Sequence, residues 1–470
     1  MAPSGARWVL PATILGSSLG FIDGSVVNVA LPSMQVQLDT PLTALQWVVN
    51  GYMLTLASLI LLGGSAGDRY GRRRAFLAGL AGFGAASLAC GLAPSASWLV
   101  AARLIQGAAA ALLVPSSLAI IGAAFTGDAR GPAIGTWAAA GAITTALGPP
   151  LGGWLVDAVG WRAIFFINLP VAALALLLGS RLPRDRGEAS SPLDARGAAL
   201  AVVTLGLLSY GLIALGEGAG VRGGTAIAAS LPAGAWFVRT ERRSSAPMMP
   251  VSLFADRTFA GANALTVLLY AALSGALFIL PFVLIRVHGA SATQAGAALL
   301  PFSALMAAGS RWAGGLVERL GPRLPLVTGA ALASFGYGVL GLLATTGTYL
   351  TAVLPGLLIV SVGMMLSVAP LTTTVFDAAP SDMSGAASGI NNAAARAGGM
   401  VAVAALGLAF GASGGGEVDA AVVSSACRIV MLAAAVLAAV SGGIAALTIG
   451  GRRPSDRPGA LRSGPSRPAE

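Results

Sequence analysis

An aspartate and an arginine stand inside apolar stretches of this sequence, where water cannot hydrate either charge. Asp23 lies within residues 9–31 and Arg103 within residues 98–122. Burial favours the neutral carboxyl, whereas a nearby cation favours the carboxylate. A carboxyl that moves between these two environments loads and releases a proton, so the two residues predict a proton-coupling pair. Two alternatives stay open: a structural ion pair without a role in transport, or an arginine that only binds helix carbonyl groups.

The residues needed for other chemistries are nearly absent. His288 is the single histidine, and the two cysteines, Cys90 and Cys427, lie far apart in apolar segments. These residues form neither a metal-binding spacing nor a Ser/His/Asp set. No phosphate-binding loop with Gly-Lys-Ser/Thr is present, which argues against direct use of ATP. The sequence therefore predicts a protein that is not an enzyme and that needs neither a cofactor nor a metal.

The composition indicates a membrane protein. Only 10% of the 470 residues are charged and 56% are hydrophobic, with a mean hydropathy of +0.81. A soluble domain carries about 25% charged residues, and about 20 apolar residues span a bilayer as a helix. We predict fourteen spans, at residues 9–31, 44–66, 75–93, 98–122, 132–156, 162–180, 197–215, 220–238, 259–285, 293–314, 324–345, 349–372, 386–411 and 427–449.

The arginines predict the orientation of these spans. All 28 basic residues are arginine, and the net charge is +10. With fourteen spans, most arginines fall in loops on one side of the membrane, as the positive-inside rule requires of the cytoplasmic face. We therefore expect a multi-pass protein of the bacterial inner membrane with both termini in the cytoplasm. The positive charge then reflects contact with anionic lipid and not with nucleic acid.

Two polar linkers divide the chain. They occupy residues 181–196 and 239–257 and bracket the seventh and eighth spans. We predict a six-helix bundle at residues 1–180, a linker with two additional helices at 181–257, a second six-helix bundle at 258–449 and a disordered cytoplasmic tail at 450–470.

A motif recurs after the second helix of each bundle. The pattern G-x-x-x-[DE]-R-x-G-x-R occupies residues 64–73 and again residues 314–323. A carboxylate suits a helix N-terminus and a guanidinium suits a C-terminal carbonyl cluster, so the motif predicts a latch between helices. A solvated, positively charged loop is the alternative. The predicted gating residues are Gly64, Asp68, Arg69, Gly71, Arg72, Glu318 and Arg319. Repeated halves are typical of secondary transporters.

The whole chain resembles the fourteen-spanner drug:proton antiporter family of the major facilitator superfamily. The resemblance rests on the motifs at residues 21–32, 64–74, 103–108, 141–153 and 160–170. It implies an all-α fold of two six-helix bundles related by pseudo-twofold symmetry, with two extra linker helices. It also implies that the 64–74 loop gates the conformational change and that Asp23 takes part in proton coupling or cation recognition.

The fifth span carries the residues that the family associates with antiporters. These are Gly148, Pro149, Pro150, Gly152 and Gly153. Proline bends a helix and glycine lets a neighbouring helix approach, so the group suits a pivot or a seal. Ordinary packing of small residues is the alternative. Polar or aromatic residues within spans are candidates for the substrate cavity: Asn28, Trp47, Asn50, Gln106, Asn168, Asn391 and Asn392.

The favoured function is export of amphipathic or lipophilic small molecules, such as drugs and antibiotics, by alternating access. The expected partners are these substrates, protons and membrane lipid, and the protein is expected to act as a monomer driven by the proton gradient. Three alternatives remain: a dedicated exporter of one endogenous metabolite or antibiotic, an uptake symporter, and a membrane sensor or scaffold that transports nothing.

Overall fold

Every regular element in the described part of the chain is helical. The computed structural model describes residues 6–185, 187, 193–380, 383–411 and 419–450. The tail predicted to be disordered therefore lies, apart from Gly450, outside the described residues.

The helices of the N-terminal half and the linker come first along the chain. They are α1 (Ala6–Gln37), α2 (Leu42–Tyr70), α3 (Arg72–Gly91), α4 (Ala96–Ala124), α5 (Arg130–Ala158), α6 (Ala163–Phe166), α7 (Asn168–Gly179), α8 (Ala195–Gly216) and α9 (Gly220–Arg243). The C-terminal half contains α10 (Arg257–Phe282), α11 (Ala292–Ala297), α12 (Leu300–Leu320), α13 (Arg323–Leu343), α14 (Leu354–Ala378), α15 (Ser384–Phe410) and α16 (Ala420–Thr448). One turn of π-helix extends α10, and another precedes α14.

Each of the fourteen stretches predicted from the sequence is helical. Two of them are interrupted, because α6 is separated from α7 at Ile167 and α11 is separated from α12 at Ala298 and Leu299. Ten helices among the described residues are long and apolar enough to cross a membrane, and α5, α9 and α12 are not among them. The helical segment at Ala163–Gly179 is apolar but shorter. The chain is therefore a multi-pass membrane protein.

The helices pack as two groups joined by the linker pair. In the N-terminal half, α4 packs against α2 and α3, and α1 packs against α5 and α7. In the C-terminal half, α13 packs against α14 and α16, and α10 packs against α15 and α16. The linker helix α8 packs against α9 and also contacts both α2 and α15. Because α2 and α15 belong to different halves, the linker covers a seam between them.

The two halves meet along two seams. The first is between α2 and α15, and the second is between α5 and the pair α11–α12. The helix bundle has two opposite ends, and each end takes its name from a glycine in one of its turns. The Gly71 end holds the α2–α3 turn, and the Gly160 end holds the α5–α6 turn.

The repeated motif forms the same turn in both halves. Gly71 follows α2 with φ of 97°, and Gly321 follows α12 with φ of 74°. Residues with a Cβ are disfavoured in this left-handed region, whereas glycine adopts it freely. Gly71 and Gly321 therefore each form the turn between two consecutive helices, and the flanking arginines lie at that turn.

Candidate functional site

Asp23 and Arg103 form a salt bridge inside the N-terminal half. Asp23 is 0% exposed and Arg103 is 1% exposed. An Nη1–H of Arg103 donates to Asp23 Oδ2. Nη1 also donates to Gln106 Oε1 at 2.7 Å, and Nε donates to the Val48 carbonyl at 3.0 Å. Buried charges require such compensation, because each lost its hydration on folding.

Gln106 ties the carboxylate to a third helix. Arg103 and Gln106 are three residues apart on α4, so both side chains point to the same face. Gln106 Nε2 lies 2.9 Å from Asp23 Oδ1 and 2.8 Å from Ser87 Oγ on α3. The Ser87 hydroxyl also accepts a hydrogen bond from Asn168 Nδ2 at 3.2 Å, at the start of α7. One polar network thus joins α1, α3, α4 and α7.

Aromatic rings cover the guanidinium. Its carbon Cζ lies 4.3 Å from the ring centroid of Tyr52 and 5.9 Å from that of Phe165. The face of an aromatic ring attracts a cation, and the attraction is stronger in a site without water. Among the described residues that contact Arg103, only Asp23 carries a formal negative charge. A proton on Asp23 would remove that charge and leave the guanidinium to carbonyl, amide and aromatic groups. The arrangement can therefore link a protonation event to the position of α4.

Sequence reasoning identified part of this network. Asp23 and Arg103 were predicted as a pair, and the structure brings them into contact. Ser87 and Cys90 on α3 were missed, although Cys90 Sγ lies 3.6 Å from Gln106 Oε1. Nothing distinguishes Ser87 from the small residues around it in the sequence. The position of Gln106, one helical turn after Arg103, was the available signal for a shared face.

Two predicted cavity residues belong to the buried network. Gln106 is 0% exposed and Asn168 is 1% exposed, and both lie within the N-terminal half. Asn50 is also buried and faces α15, where its amide nitrogen, assigned from the hydrogen-bond pattern, donates to the Met400 carbonyl at 3.2 Å. Gln46, one turn earlier on α2, donates to the Val403 carbonyl at 2.6 Å. The polar residues of α2 therefore hold the first seam together.

The remaining predicted cavity residues are dispersed. Asn28 and Trp47 are half-buried on α1 and α2. Asn391 on α15 donates to Thr266 Oγ1 at 2.7 Å and to Asn263 Oδ1 at 3.2 Å, both on α10. Asn392 is exposed and donates to a backbone carbonyl of its own helix. The structure therefore does not bring these four residues together at one site.

The predicted gating loop connects α2 to α3 and to the chain that follows α7. Asp68 and Arg72 form an exposed salt bridge of 3.2 Å. The carboxylate of Asp185 accepts hydrogen bonds from the backbone N–H groups of Arg72 and Arg73, at the N-terminus of α3. A carboxylate at that position stabilises the helix. Asp185 was missed because it lies more than a hundred residues away in sequence.

The other predicted gating residues lie beside these turns. Gly64 packs near Pro115 of α4, and Arg69 is half-buried. In the second copy of the motif, Glu318 and Arg319 are exposed at the end of α12.

The Gly/Pro group of α5 forms close helix contacts. A Cβ added at Gly152 would lie 2.3 Å from Val26 of α1, and one added at Gly153 would lie 2.1 Å from the Ala292 carbonyl oxygen of α11. A side chain at either position would force the helices apart. Gly148 approaches Ser25 in the same way, and Pro149 and Pro150 lie inside the helix. The group therefore lies in the second seam and touches both halves.

A carboxylate fastens this second seam at the Gly160 end. Asp157 accepts hydrogen bonds from the Thr293 N–H at 2.7 Å, the Thr293 hydroxyl at 2.6 Å and the Ala292 N–H at 3.2 Å. Asp157 lies just beyond the predicted span 132–156. Partial desolvation favours its neutral form, but these hydrogen bonds outweigh that effect and lower the pKa of Asp157. The negative charge is thus held at the first turn of α11, where the helix dipole favours it.

Within the part of the chain that the structure describes, no group of three or more His, Cys, Asp or Glu side chains is placed to hold a metal ion.

Two helical halves that meet along seams, with a buried ion pair in one of them, are typical of membrane transporters. Residues 13–404 match the model of the Major Facilitator Superfamily. The chain therefore belongs to the Major Facilitator Superfamily. A solved structure described as a bacterial homolog of the human lysosomal transporter Spinster, inward-facing and unoccupied, has the same fold, with a TM-score of 0.69 at 18% identity over 95% of this chain and 98% of that one.

Curated relatives are named for drug resistance and export. The chain is 38% identical to "Multidrug resistance protein Stp" of Mycobacterium tuberculosis (strain CDC 1551 / Oshkosh), over 85% of this chain and 74% of the relative. It is 34% identical to "Tetracenomycin C resistance and export protein" of Streptomyces glaucescens, over 86% and 76%. It is also 34% identical to "Lincomycin resistance protein" of Streptomyces lincolnensis, over 94% and 92%.

Proposed function

We propose that this protein exports lipophilic or amphipathic small molecules, among them antibiotics, in exchange for protons. The observation that carries the proposal is the buried salt bridge between Asp23 and Arg103. A buried carboxylate held by a guanidinium and a glutamine amide is the kind of group whose protonation changes the forces between helices. The relatives named for resistance and export support the direction of transport.

The proposed orientation places the Gly71 end in the cytoplasm. The arginine-rich turns lie at that end, as the positive-inside rule requires. Fourteen spans, both termini in the cytoplasm and a six–two–six division at residues 180 and 257 complete this topology. No cofactor is needed, because the proton gradient supplies the energy. The protein acts as a monomer.

The proposed cycle uses the two seams in turn. Gln46 and Asn50 hold the α2–α15 seam, and Asp157 holds the α5–α11 seam at the Gly160 end. In the proposed orientation, these contacts close the protein towards the outside of the cell. The ligand binds while Asp23 is ionised and leaves after a change to the alternative closure at the Gly71 end, where the 64–74 loop acts as the latch. There a proton from the outside binds Asp23 and weakens its pairing with Arg103, which favours the return to the first closure and carries the proton inwards.

Everted membrane vesicles test the coupling. Vesicles that contain the protein are energised, and the accumulation of a fluorescent lipophilic dye is followed. The Asp23→Asn variant is expected to lose gradient-driven accumulation. The matched control is Asp39→Asn, which makes the same change at an exposed position beyond the end of α1. Full gradient-driven accumulation by Asp23→Asn, or accumulation in the wild type that survives an uncoupler, would refute the proposal.

A second candidate function is the dedicated export of one compound. The relatives named for tetracenomycin C and lincomycin favour it, because each name specifies a single antibiotic. A susceptibility panel in a pump-deficient host separates the two candidates. Protection against several unrelated lipophilic compounds supports broad export, whereas protection against one supports the dedicated exporter.

A further inference from the structure

A cavity of about 510 Å³ lies where the linker helices cover the first seam. Its walls come from α2 of one half, from α10 and α15 of the other half, and from α8 and α9 of the linker. Met248, Met249 and Phe254, which follow α9, close one side. Pockets of about 300–1,000 Å³ hold drug-sized ligands. The cavity is therefore large enough for a small molecule and is separate from the Asp23 network.

The cavity lies towards the Gly71 end of the molecule. It is lined by residues of the second half of α2, such as Ser58, and by residues of the first turns of α8 and α10, such as Ala201 and Ala260. In the proposed orientation, these segments lie in the cytoplasmic half of the bilayer. A molecule dissolved in the inner leaflet is therefore at the right depth to enter.

The lining selects for an uncharged ligand. Alanine, leucine, methionine and phenylalanine provide most of it, and none of the lining residues is charged. An ion would lose its hydration there without gaining a counter-charge. Methionine is flexible and polarisable and adapts to ligands of different shapes. Met248 and Met249 therefore favour a range of lipophilic ligands over one precisely fitted compound.

Two hydroxyl groups give the cavity its polar points. Ser58 on α2 and Thr204 on α8 line the cavity, and their hydroxyl oxygens are buried without a hydrogen-bond partner among the described residues. Many other helical hydroxyls among the described residues donate to a carbonyl one turn earlier, as Thr266 does to Ala262 at 2.9 Å, although two further buried helical serines also lack a partner. Buried hydroxyls normally have partners. A polar group on a ligand would supply the missing hydrogen bonds.

The amide of Asn263 already has hydrogen-bond partners within the protein. It also lines the cavity, but its nitrogen donates to the Phe259 carbonyl at 2.9 Å and its oxygen accepts from Asn391. The unpaired hydroxyls of Ser58 and Thr204 thus remain free to bind a ligand, one on α2 and one on the linker helix α8.

We propose that this cavity is the binding site that receives the transported molecule from the inner leaflet. The ligand is an uncharged, mainly apolar compound with one or two hydrogen-bonding groups. The proposal deepens the proposed function and rests on it for the orientation and for the identity of the ligand as cargo. It assigns a task to the linker helices, which is to form the outer wall of this site.

Equilibrium binding tests the site without a gradient. The full chain is placed in lipid nanodiscs and titrated with the uncharged fluorophore N-phenyl-1-naphthylamine. A tryptophan at Ala201 fills the cavity, whereas one at Ala199, two residues earlier on α8, points to the exposed side. We expect Ala201→Trp to weaken saturable binding by about tenfold or more and Ala199→Trp to leave it unchanged. Wild-type affinity in Ala201→Trp would overturn the proposal.

Smaller changes keep the test valid if the tryptophan disturbs folding. Ser58→Ala and Thr204→Val remove only the hydroxyls, and each is expected to weaken binding of the amine probe by about fivefold. The hydrocarbon analogue 1-benzylnaphthalene, used as a tritiated probe, should bind all variants equally. Equal binding of the amine probe to wild type and both variants would contradict the role of the hydroxyls.

Three further outcomes separate the possible sources of the ligand and the possible failures. Saturable binding in detergent but not in lipid nanodiscs would assign the cavity to a lipid chain and would overturn the proposal. If Asp23→Asn retains gradient-driven transport while the binding results stand, the proton coupling fails and the site remains. If transport depends on Asp23 but Ala201→Trp binds normally, the site fails and the coupling remains.

Discussion

Replacing Asp157 with alanine is expected to open the second seam at the Gly160 end. The carboxylate on α5 accepts three hydrogen bonds from the first turn of α11, at 2.6, 2.7 and 3.2 Å. A hydrogen bond contributes about 1 kcal/mol net, and exposure to solvent reduces the electrostatic part. Because Asp157 is exposed, we expect the closed arrangement to lose about 1–2 kcal/mol in total. That loss shifts the equilibrium towards the open arrangement by about 5- to 30-fold.

Spin labels across this end measure the shift. Nitroxides are attached to cysteines introduced at Val159, beside α5, and at Thr346, between α13 and α14, both of which are exposed. The distance distribution is recorded by pulsed electron–electron double resonance in a background without Cys90 and Cys427. The Asp157→Ala variant should populate longer distances than the wild type. The control is Glu217→Gln, an exposed carboxylate at the end of α8.

The pH dependence of these distances has a direction that also follows from the hydrogen bonds of Asp157. The pKa of Asp157 is lowered in the closed arrangement, so its ionised form is stabilised relative to an open arrangement without these hydrogen bonds. Its contribution is present above the ordinary pKa of an aspartate and is lost as the pH falls through the lowered value. Acidification should therefore lengthen the distances in the wild type and have less effect in Asp157→Ala. Identical distance distributions in both proteins at neutral pH would refute the reasoning.

Two further predictions concern the Gly71 end. Burial and the neighbouring Asp194 raise the pKa of Glu241, which lies beyond the predicted span 220–238, from 4.5 to about 7. The protonated side chain should therefore stabilise the folded protein fully below about pH 4.5, and this stabilisation should be lost as the pH rises to about 7. The thermal midpoint of the wild type should fall over that range more than that of Glu241→Gln. Asp185→Ala should lower the free energy of unfolding by about 1 kcal/mol, because it removes the acceptor for two N–H groups of α3, and a thermal midpoint equal to that of the wild type would contradict this.

The helical framework was predictable because its cause is local. Among the described residues, ten of the predicted stretches lie in helices that are long and apolar enough to cross a bilayer, and a helix is the structure that satisfies its own backbone groups there. The repeated motif also carried its own signal, since Gly71 and Gly321 both adopt positive φ. The breaks at Ile167 and at Ala298 and Leu299 were not predicted, because these three residues are as apolar as those of an uninterrupted span.

The candidate site was predictable only in its charged residues. A charge such as Asp23 stands out against an apolar background, and a second charge at depth is its natural partner. Ser87, Asp157 and Asp185 did not stand out, because serine packs well in helices and aspartates are common in turns. Their importance depends on partners between 81 and 136 residues away in the chain, and that proximity is a property of the fold.

The helix α2 connects the features on which the proposed cycle depends. Its Val48 carbonyl accepts from Arg103, and its Gln46 side chain binds the Val403 carbonyl of the other half. Ser58, about three turns further along, lines the cavity under the linker. A helix moves nearly as a rigid body, because its backbone hydrogen bonds resist local distortion. A change in the pairing of Arg103 that tilts α2 would therefore act on the seam and on the cavity together, which makes this helix the physical link between protonation and ligand binding.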